Sequence, residues 1–234
     1  MNNQTVSREK WLSARLELLD QEKELTRLRD QISASRRKLP RVKIEQDYVF
    51  DTNQGEKSLP DLFGAKSQLI IYHFMYGNDW EEGCKSCSFW ADNFEGIDIH
   101  LANRDVSFIA MSRAELKTLN AFKKRMGWSF EWVSSLGSDF NRDFDVSFDA
   151  EDFENETATY NYRPFTYPMN EHAGVSVFQK DPDGSVYHTY SAYSRGLDIL
   201  NGAYNYLDLV PKGRDESQFE YGMEWLRHHD KYSG

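Results

Sequence analysis

The segment Gln68-Leu69-Ile70-Ile71-Tyr72-His73-Phe74-Met75 is a nearly unbroken apolar run, and it constrains the fold more than any other part of the chain. A strand with one wet face alternates apolar and polar residues. A strand without that alternation is covered on both faces and lies in the middle of a sheet. A loop, Tyr76 to Gly83, leads from this run into Cys84-Lys85-Ser86-Cys87, and Phe89, Trp90, Phe94 and Ile97 beyond it fit a helix. The order is therefore buried central strand, loop, cysteine pair, helix.

The neighbouring segments continue the alternation of strand and helix. Val106 to Met111 reads as a strand, Arg113 to Met126 as a helix closed by Gly127, and Glu131 to Ser134 as a further short strand. Tyr48 to Asp51 and Lys57 to Leu59 flank Asn53-Gln54-Gly55 and form a short hairpin. Val175 to Lys180 and Ser185 to Tyr190 flank Asp181-Pro182-Asp183-Gly184 and form a second one, followed by a helix from about Gly196 to Leu207. The Tyr- and Asn-rich stretch from Asp149 to His172 has little periodicity and reads as a long surface excursion. Such an order specifies an α/β domain with a mixed sheet.

Upstream, Ser7 to Arg37 reads as one long helix. It is dense in charge, free of Gly and Pro, and carries Trp11, Leu18, Leu25 and Ile32 at every seventh position. It stops before Leu39-Pro40, because proline disfavours helix in the residue before it. The seven-residue row calls for a partner helix. Its second seam is poor, with Ala14 and Gln21, so a homodimer through this helix and packing on its own domain stand as equal candidates. The expected organisation is a helical arm over 1–40, an α/β domain over 41–210 and a tail over 211–234.

Composition narrows the function. With 234 residues, 39% apolar and 28% charged, the chain has ordinary globular make-up. Its formal charge, 28 − 38 = −10, excludes the basic stripe that a nucleic-acid partner needs and disfavours an anionic membrane surface. No apolar run approaches the roughly 18 residues that span a bilayer. Met1 to Thr5 open into a charged helical pattern rather than a secretory signal, so a cytoplasmic location is expected. Two cysteines three apart in that compartment point to redox or metal chemistry, not to a disulfide scaffold.

A thiol at a helix N-terminus faces unpaired N–H groups and the positive end of the helix dipole, both of which favour its thiolate. Cys84 is thus the candidate nucleophile, and Cys87, one turn into the helix, the resolving partner. Lys85 would stabilise the thiolate while Asp79, Glu81 and Glu82 oppose it. Trp80 either forms an apolar lip for a substrate or packs under its own loop. Zinc needs four ligands, yet there is no second C-x-x-C, and His73, His100, His172 and His188 lie at no familiar ligand spacing. Two inert structural thiols are the remaining alternative. Gly77 and Gly83 belong to no phosphate-binding loop, and no G-x-S-x-G elbow is present. His228-His229 lies in a polar tail and reads as solvated.

Several segments are distinctive together: Val6 to Leu12, Glu22 to Arg29, Tyr72 to Met75, Gly83-Cys84-Lys85-Ser86-Cys87-Ser88-Phe89-Trp90-Ala91-Asp92, Gly137 to Asn141, and Gly196 to Gly202. Through them the chain resembles, over nearly its whole length, a bacterial thioredoxin-like family catalogued as domain of unknown function 899, related to the peroxiredoxin and alkyl hydroperoxide reductase group. The resemblance implies a thioredoxin-like α/β fold, a mixed central sheet flanked by helices, with the long N-terminal helix added. It brings no established activity. Thioredoxins carry tryptophan before the first cysteine, where this chain has Gly83. They also carry a cis-proline where Glu171-His172-Ala173-Gly174-Val175 has Ala173, and that proline holds a backbone edge ready for an extended substrate. Its replacement argues against general protein-disulfide reduction. The same fold would bring His172 close to the cysteines, as a candidate base or substrate contact.

The expected function is therefore thiol-disulfide exchange. A disulfide or peroxide would be the substrate, a cellular thiol the reductant, and neither organic cofactor nor metal would be needed. Peroxide reduction, through a sulfenic acid at Cys84, ranks slightly lower, since the threonine and arginine that peroxiredoxins supply do not stand beside Cys84. A non-enzymatic binding module on the same fold is the alternative from another class.

Overall fold

The computed structural model describes residues 4–232. Contacts divide the chain into two compact units, Met1–Pro40 and Arg41–Gly234. In the first, helix α1 (Arg8–Arg36) begins at Ser7, whose hydroxyl accepts the Lys10 N–H at 3.4 Å. No residue of α1 is buried, and Trp11, Leu18, Leu25 and Ile32 are all exposed.

The second unit opens with β1 (Val42–Lys43), the hairpin β2 (Val49–Thr52) and β3 (Gly55–Ser58), and α2 (Leu59–Leu62). Then come β4 (Gln68–His73), α3 (Lys85–Ala91), α4 (Ile97–Ala102), β5 (Val106–Ser112), α5 (Leu116–Met126) and β6 (Glu131–Ser134). Short pieces follow: α6 (Phe140–Asp143), α7 (Ala150–Glu154), β7 (Thr159–Tyr160) and β8 (Arg163–Pro164). The hairpin β9 (Gly174–Lys180) and β10 (Val186–Tyr193), a 3₁₀ turn (Ser194–Leu200) and α8 (Gly202–Leu207) complete the regular core.

The main sheet has the order β1-β10-β9-β4-β5-β6-β2-β3. Strand β4 runs parallel to β5 and antiparallel to β9, while β9 and β10 are antiparallel. A parallel β-helix-β unit joined edge to edge with an antiparallel hairpin, in the order β5-β4-β9-β10, is the thioredoxin-like arrangement. The sheet is mixed and helices flank it. Side chains of β4 feed two cores, one on each face. Leu69 and Ile71 pack with Phe63, Phe140 and Phe178, whereas Tyr72 and Phe74 pack with Trp90, Phe94 and Trp132.

Three expectations change. The helix after the cysteines is broken into α3 and α4, because Gly96 adopts a left-handed φ of 79° between them. The last helix is likewise split at Asn201, whose side chain accepts the Tyr204 N–H at 3.0 Å and starts α8 afresh. The stretch from Asp149 to His172 lies largely at the surface, as expected, but it is ordered rather than an open loop. It carries α7 and the β7–β8 ladder, and Ala158, Glu171 and His172 in it are buried. Its aromatic residues cohere by tilted and edge-on ring contacts, Phe153 with Phe148 and Phe165 with Tyr160, which leaves no helical or strand period in the sequence.

His73 is the polar exception on the face of β4 that carries Leu69 and Ile71, stacked on Phe140. It is 1% exposed, and its Nε2 lies 2.9 Å from Ser176 Oγ on β9. Ser176 Oγ is 2.9 Å from Ser191 Oγ on β10, which is 2.8 Å from His188 Nε2. One hydrogen-bonded chain thus crosses three strands. Ser176→Ala leaves a buried imidazole nitrogen without its partner and is expected to cost about 1–3 kcal/mol, read as a lower midpoint in urea unfolding.

Candidate functional site

Where β4 ends, the backbone turns the chain back on itself. The Phe74 N–H donates to Met111 O at 2.8 Å, and the Cys84 N–H donates to Met75 O at 3.0 Å, closing the loop between them. Cys84 sits at the N-cap of α3, and its carbonyl accepts both the N–H and the hydroxyl of Ser88, each at 2.9 Å. Both cysteines are free thiols and lie 4.1 Å apart. Cys84 is partly exposed; Cys87 is buried.

Their protonation is opposed. The Cys87 thiol hydrogen-bonds to Cys84 and brings its pKa down to about 7 against the cost of burial, with help from the Cys87 and Ser86 N–H groups and the Ser86 side chain. Cys87 goes the other way. Burial, then its hydrogen bond to Cys84 and the charge there, push it well above the ordinary thiol range. The Met75 N–H, 3.4 Å from Cys87 Sγ, and the Tyr72 hydroxyl offset part of that rise. The proton between the sulfurs therefore stays on Cys87, and Cys84 holds the charge.

The other residues singled out in the sequence have distinct places. Lys85 Nζ donates to Glu224 O at 3.1 Å. Glu82 is tied to Arg125 at 2.6 Å and Lys231 at 2.8 Å, which neutralises part of the acidic loop. Trp80 lies over its own loop, where a Cβ on Gly77 would stand 3.0 Å from its Nε1, and it packs against the core cluster that also touches Cys84. His172 is 6% exposed and donates from Nε2 to Met169 O at 3.1 Å. Its ring lies 4.4 Å from that of Tyr160 and 4.6 Å from that of Phe165. Burial lowers its pKa to about 4, so it is neutral.

The turn at His172 and Ala173 is engaged at two of its backbone groups. The His172 N–H donates to Val146 O at 2.8 Å, and Ala173 O accepts the Tyr160 hydroxyl at 2.8 Å. Beside it, Glu171 is 2% exposed, accepts the Ser147 hydroxyl at 2.7 Å, and lies 3.5 Å from Arg113. Burial raises its pKa to about 7.

The tail corrects the reading of His228 as solvated. His228 is 6% exposed, donates from Nε2 to Gly83 O at 2.8 Å, and stands edge-on to Phe122 at 5.3 Å. Arg125 holds Asp230 through two hydrogen bonds of 2.7 and 3.0 Å, and Leu226 is fully buried. His229 Nδ1 lies 2.7 Å from Asp92 and is itself exposed. Both neighbours of Cys84, Gly83 and Lys85, are thus braced by residues 224–228. Trp225-Leu226 was the apolar signal in this polar stretch. Tyr72 was legible too, since alternation along β4 puts it on the face of Phe74. Glu171 and Tyr160 left no such mark.

Among the described residues, no group of three or more His, Cys, Asp and Glu side chains is placed to hold a metal ion. None of the described helices is long and apolar enough to cross a membrane.

The chain belongs to the family described as bacterial protein of unknown function (DUF899), whose model matches residues 1–232. No curated protein matches it. Among solved structures it is similar to the peroxidoxin BcpB of Mycobacterium tuberculosis, at 12% identity and a TM-score of 0.45, covering 69% of this chain and 93% of that one. It is similar to a peroxiredoxin Q variant of Xanthomonas campestris at 13% identity and a TM-score of 0.45, over 68% and 90% of the two chains. The mitochondrial 2-Cys peroxiredoxin of Plasmodium falciparum matches at 13% identity and a TM-score of 0.39, over 71% and 91%. Likenesses of this size assign no reaction to the chain.

Gly83 has no room for a side chain, since a Cβ there would lie 2.9 Å from Phe74 Cε1 and 3.0 Å from Phe122 Cε1. Gly83→Ala is expected to cost about 1–3 kcal/mol through overpacking, measured by denaturant unfolding. Acid should weaken the fold. His73 and His172 have folded pKa values lowered to about 3 and about 4. Their contribution is present above the unfolded histidine value of about 6.5 and is lost as pH falls toward those values. Glu171, raised to about 7, works oppositely between about pH 7 and its unfolded value of about 4.3. Two histidines outweigh one glutamate, so stability in urea should decline on acidification from neutral pH, and more steeply in Glu171→Gln.

Proposed function

We propose that the chain is a thiol-disulfide oxidoreductase in which Cys84 attacks and Cys87 resolves. The observation that carries this reading is the opposed pair itself: a partly exposed thiol brought down to about pH 7 beside a buried thiol that keeps its proton. At neutral pH about half of Cys84 is thiolate, close to the optimum for an attacking thiol.

The electrons balance over two exchanges. Cys84 thiolate attacks one sulfur of a disulfide, forms a mixed disulfide and expels a thiolate. Cys87 then gives up its proton, attacks Cys84 Sγ and expels the second half of the substrate, which leaves a Cys84–Cys87 disulfide. The proton goes to one of the expelled thiolates. A cellular thiol reductant returns the pair to the dithiol.

The engaged backbone at His172 and Ala173 supports a small disulfide as substrate over an extended polypeptide. A polypeptide that adds itself to an edge needs free N–H and C=O groups, and here the His172 N–H is taken by Val146 O and the Ala173 C=O by the Tyr160 hydroxyl. Lys85 acts on the tail rather than on the thiolate, and Trp80 lines the loop before Cys84. His172, neutral and donating to Met169 O, serves as part of the wall beside Tyr160.

Thiol alkylation against pH tests the reading. In the folded wild type, Cys84 should react with a midpoint near pH 7, and treatment with a small disulfide should remove both thiols together. Cys84→Ser should abolish reaction in the folded state, while Cys87→Ser should accumulate the mixed disulfide. Two thiols that stay inert until the wild type is unfolded would defeat the reading in favour of a binding module.

A further inference from the structure

Gly83 leaves the nucleophile without a restraint of its own. Phe74 and Phe122 fill the space that a Cβ at position 83 would take. Glycine has the widest backbone freedom of any residue, and here it directly precedes Cys84. Closing the pair needs the opposite, because a displacement between two sulfurs gains its rate from atoms held close and in line. The cysteines lie 4.1 Å apart, and the peptide unit joining residues 83 and 84 sets where the Cys84 side chain begins.

That peptide unit is held at both ends. Its N–H, on Cys84, donates to Met75 O at 3.0 Å, and its C=O, on Gly83, accepts from His228 Nε2 at 2.8 Å. A peptide unit is planar, so bonds on its two edges fix its tilt and the φ of −54° that Cys84 takes. The first bond is local, whereas the second comes from the far end of the chain. His228 is itself well held. Its ring is 6% exposed and stands edge-on to Phe122 at 5.3 Å. Its Nδ1 faces Arg125 Nη2 at 3.4 Å and Glu82 Oε2 at 3.5 Å. On either side of it, Leu226 is fully buried and Asp230 is bound by Arg125. Gly83 O can only accept, so Nε2 carries the hydrogen of this bond.

We propose that His228 is a positioning residue for the thiol pair: its N–H on Gly83 O supplies, from the C-terminal segment, the rigidity that glycine withholds, and so sets Cys84 Sγ in line for Cys87. The inference rests on the dithiol reading above. In the step concerned, Cys87 Sγ forms a bond to Cys84 Sγ. The bond from Cys84 to the second half of the substrate breaks, and that half leaves as a thiolate. His228 touches none of these atoms. It narrows the range of positions in which Cys84 Sγ meets the attack. Without its bond the Gly83 C=O is free to swing, the plane it shares with the Cys84 N–H swings with it, and the pair closes less often.

The test uses the full chain with dithiobis(nitrobenzoate), an aromatic disulfide whose expelled thiolates are coloured. Stopped-flow absorbance resolves a first release, from attack by Cys84, and a second, from attack by Cys87. His228→Leu keeps apolar bulk beside Phe122 and removes the donor. It is expected to change the first release by about twofold or less and to slow the second about tenfold, the effect of one net hydrogen bond. Its dithiol–disulfide equilibrium against glutathione should shift toward the dithiol. His228→Gln carries an amide N–H to the place of Nε2 and should restore both readouts, whereas His228→Asn, one methylene shorter, should not. A merely structural role would lower the urea midpoint and leave the second release as it is. An unaltered second release in His228→Leu, or equal rates of second release in His228→Gln and His228→Asn, overturns the inference and leaves the dithiol reading standing. Should His228→Leu fail to fold, the two amide variants decide. No first release in the wild type overturns both readings.

Discussion

Strand β4 is held on both edges by hydrogen bonds and on both faces by apolar side chains, and the rest of the molecule is arranged around that double confinement. Leu69 and Ile71 are completely buried on one face, while Tyr72 and Phe74 are 1% exposed on the other. Burying each such side chain is worth about 1.5–3 kcal/mol, and a shift of one residue would exchange the two faces. The strand can therefore neither slip nor rotate. The residue that follows it inherits that rigidity and meets both cysteines: the Met75 N–H donates to Cys87 Sγ, and the Met75 C=O accepts the Cys84 N–H.

Two identical side chains at this end acquire opposite characters from surroundings alone. Cys84 is at the rim, where backbone N–H groups and a neighbouring thiol stabilise a charge. Cys87 is one turn inside, where the loss of water disfavours one. The difference between the two thiols comes less from formal charges than from which is buried and which groups donate to it. Lys85, the obvious cation beside the pair, is turned to the backbone of Glu224 instead. The acidic loop is likewise answered at a distance, by Arg125 and Lys231.

Much of this was legible in the chain. The unalternated run at 68–75, the cysteine pair before a helix and the turn Asp181-Pro182-Asp183-Gly184 carry their structural meaning in local pattern, and the mixed sheet followed from their order. Gly83 stood out as a departure, and the reason is steric, with Phe74 and Phe122 occupying the space of a side chain. What escaped was held by aromatic contact and by distance in sequence. Tyr160 and His172 meet through ring stacking in a stretch with no period. His228 reaches Gly83 across 145 residues, a pairing that no window of neighbouring residues can register. Periodicity reports which face of an element is buried and is silent on side chains gathered from unrelated segments.

The bracing of Cys84 by residues 224–228 also fixes an order of events during biosynthesis. Polypeptides emerge from the N-terminus, so β4, the cysteines, α5 and the β9–β10 hairpin leave the ribosome before His228 does. A nascent chain can pair its strands while Gly83 O, Arg125 and Glu82 still await His228, Asp230 and Lys231. Until those residues emerge, the residues flanking Cys84 lack contacts that hold them in the folded protein. The thiol pair reaches its final setting only after the segment 224–231 has been made.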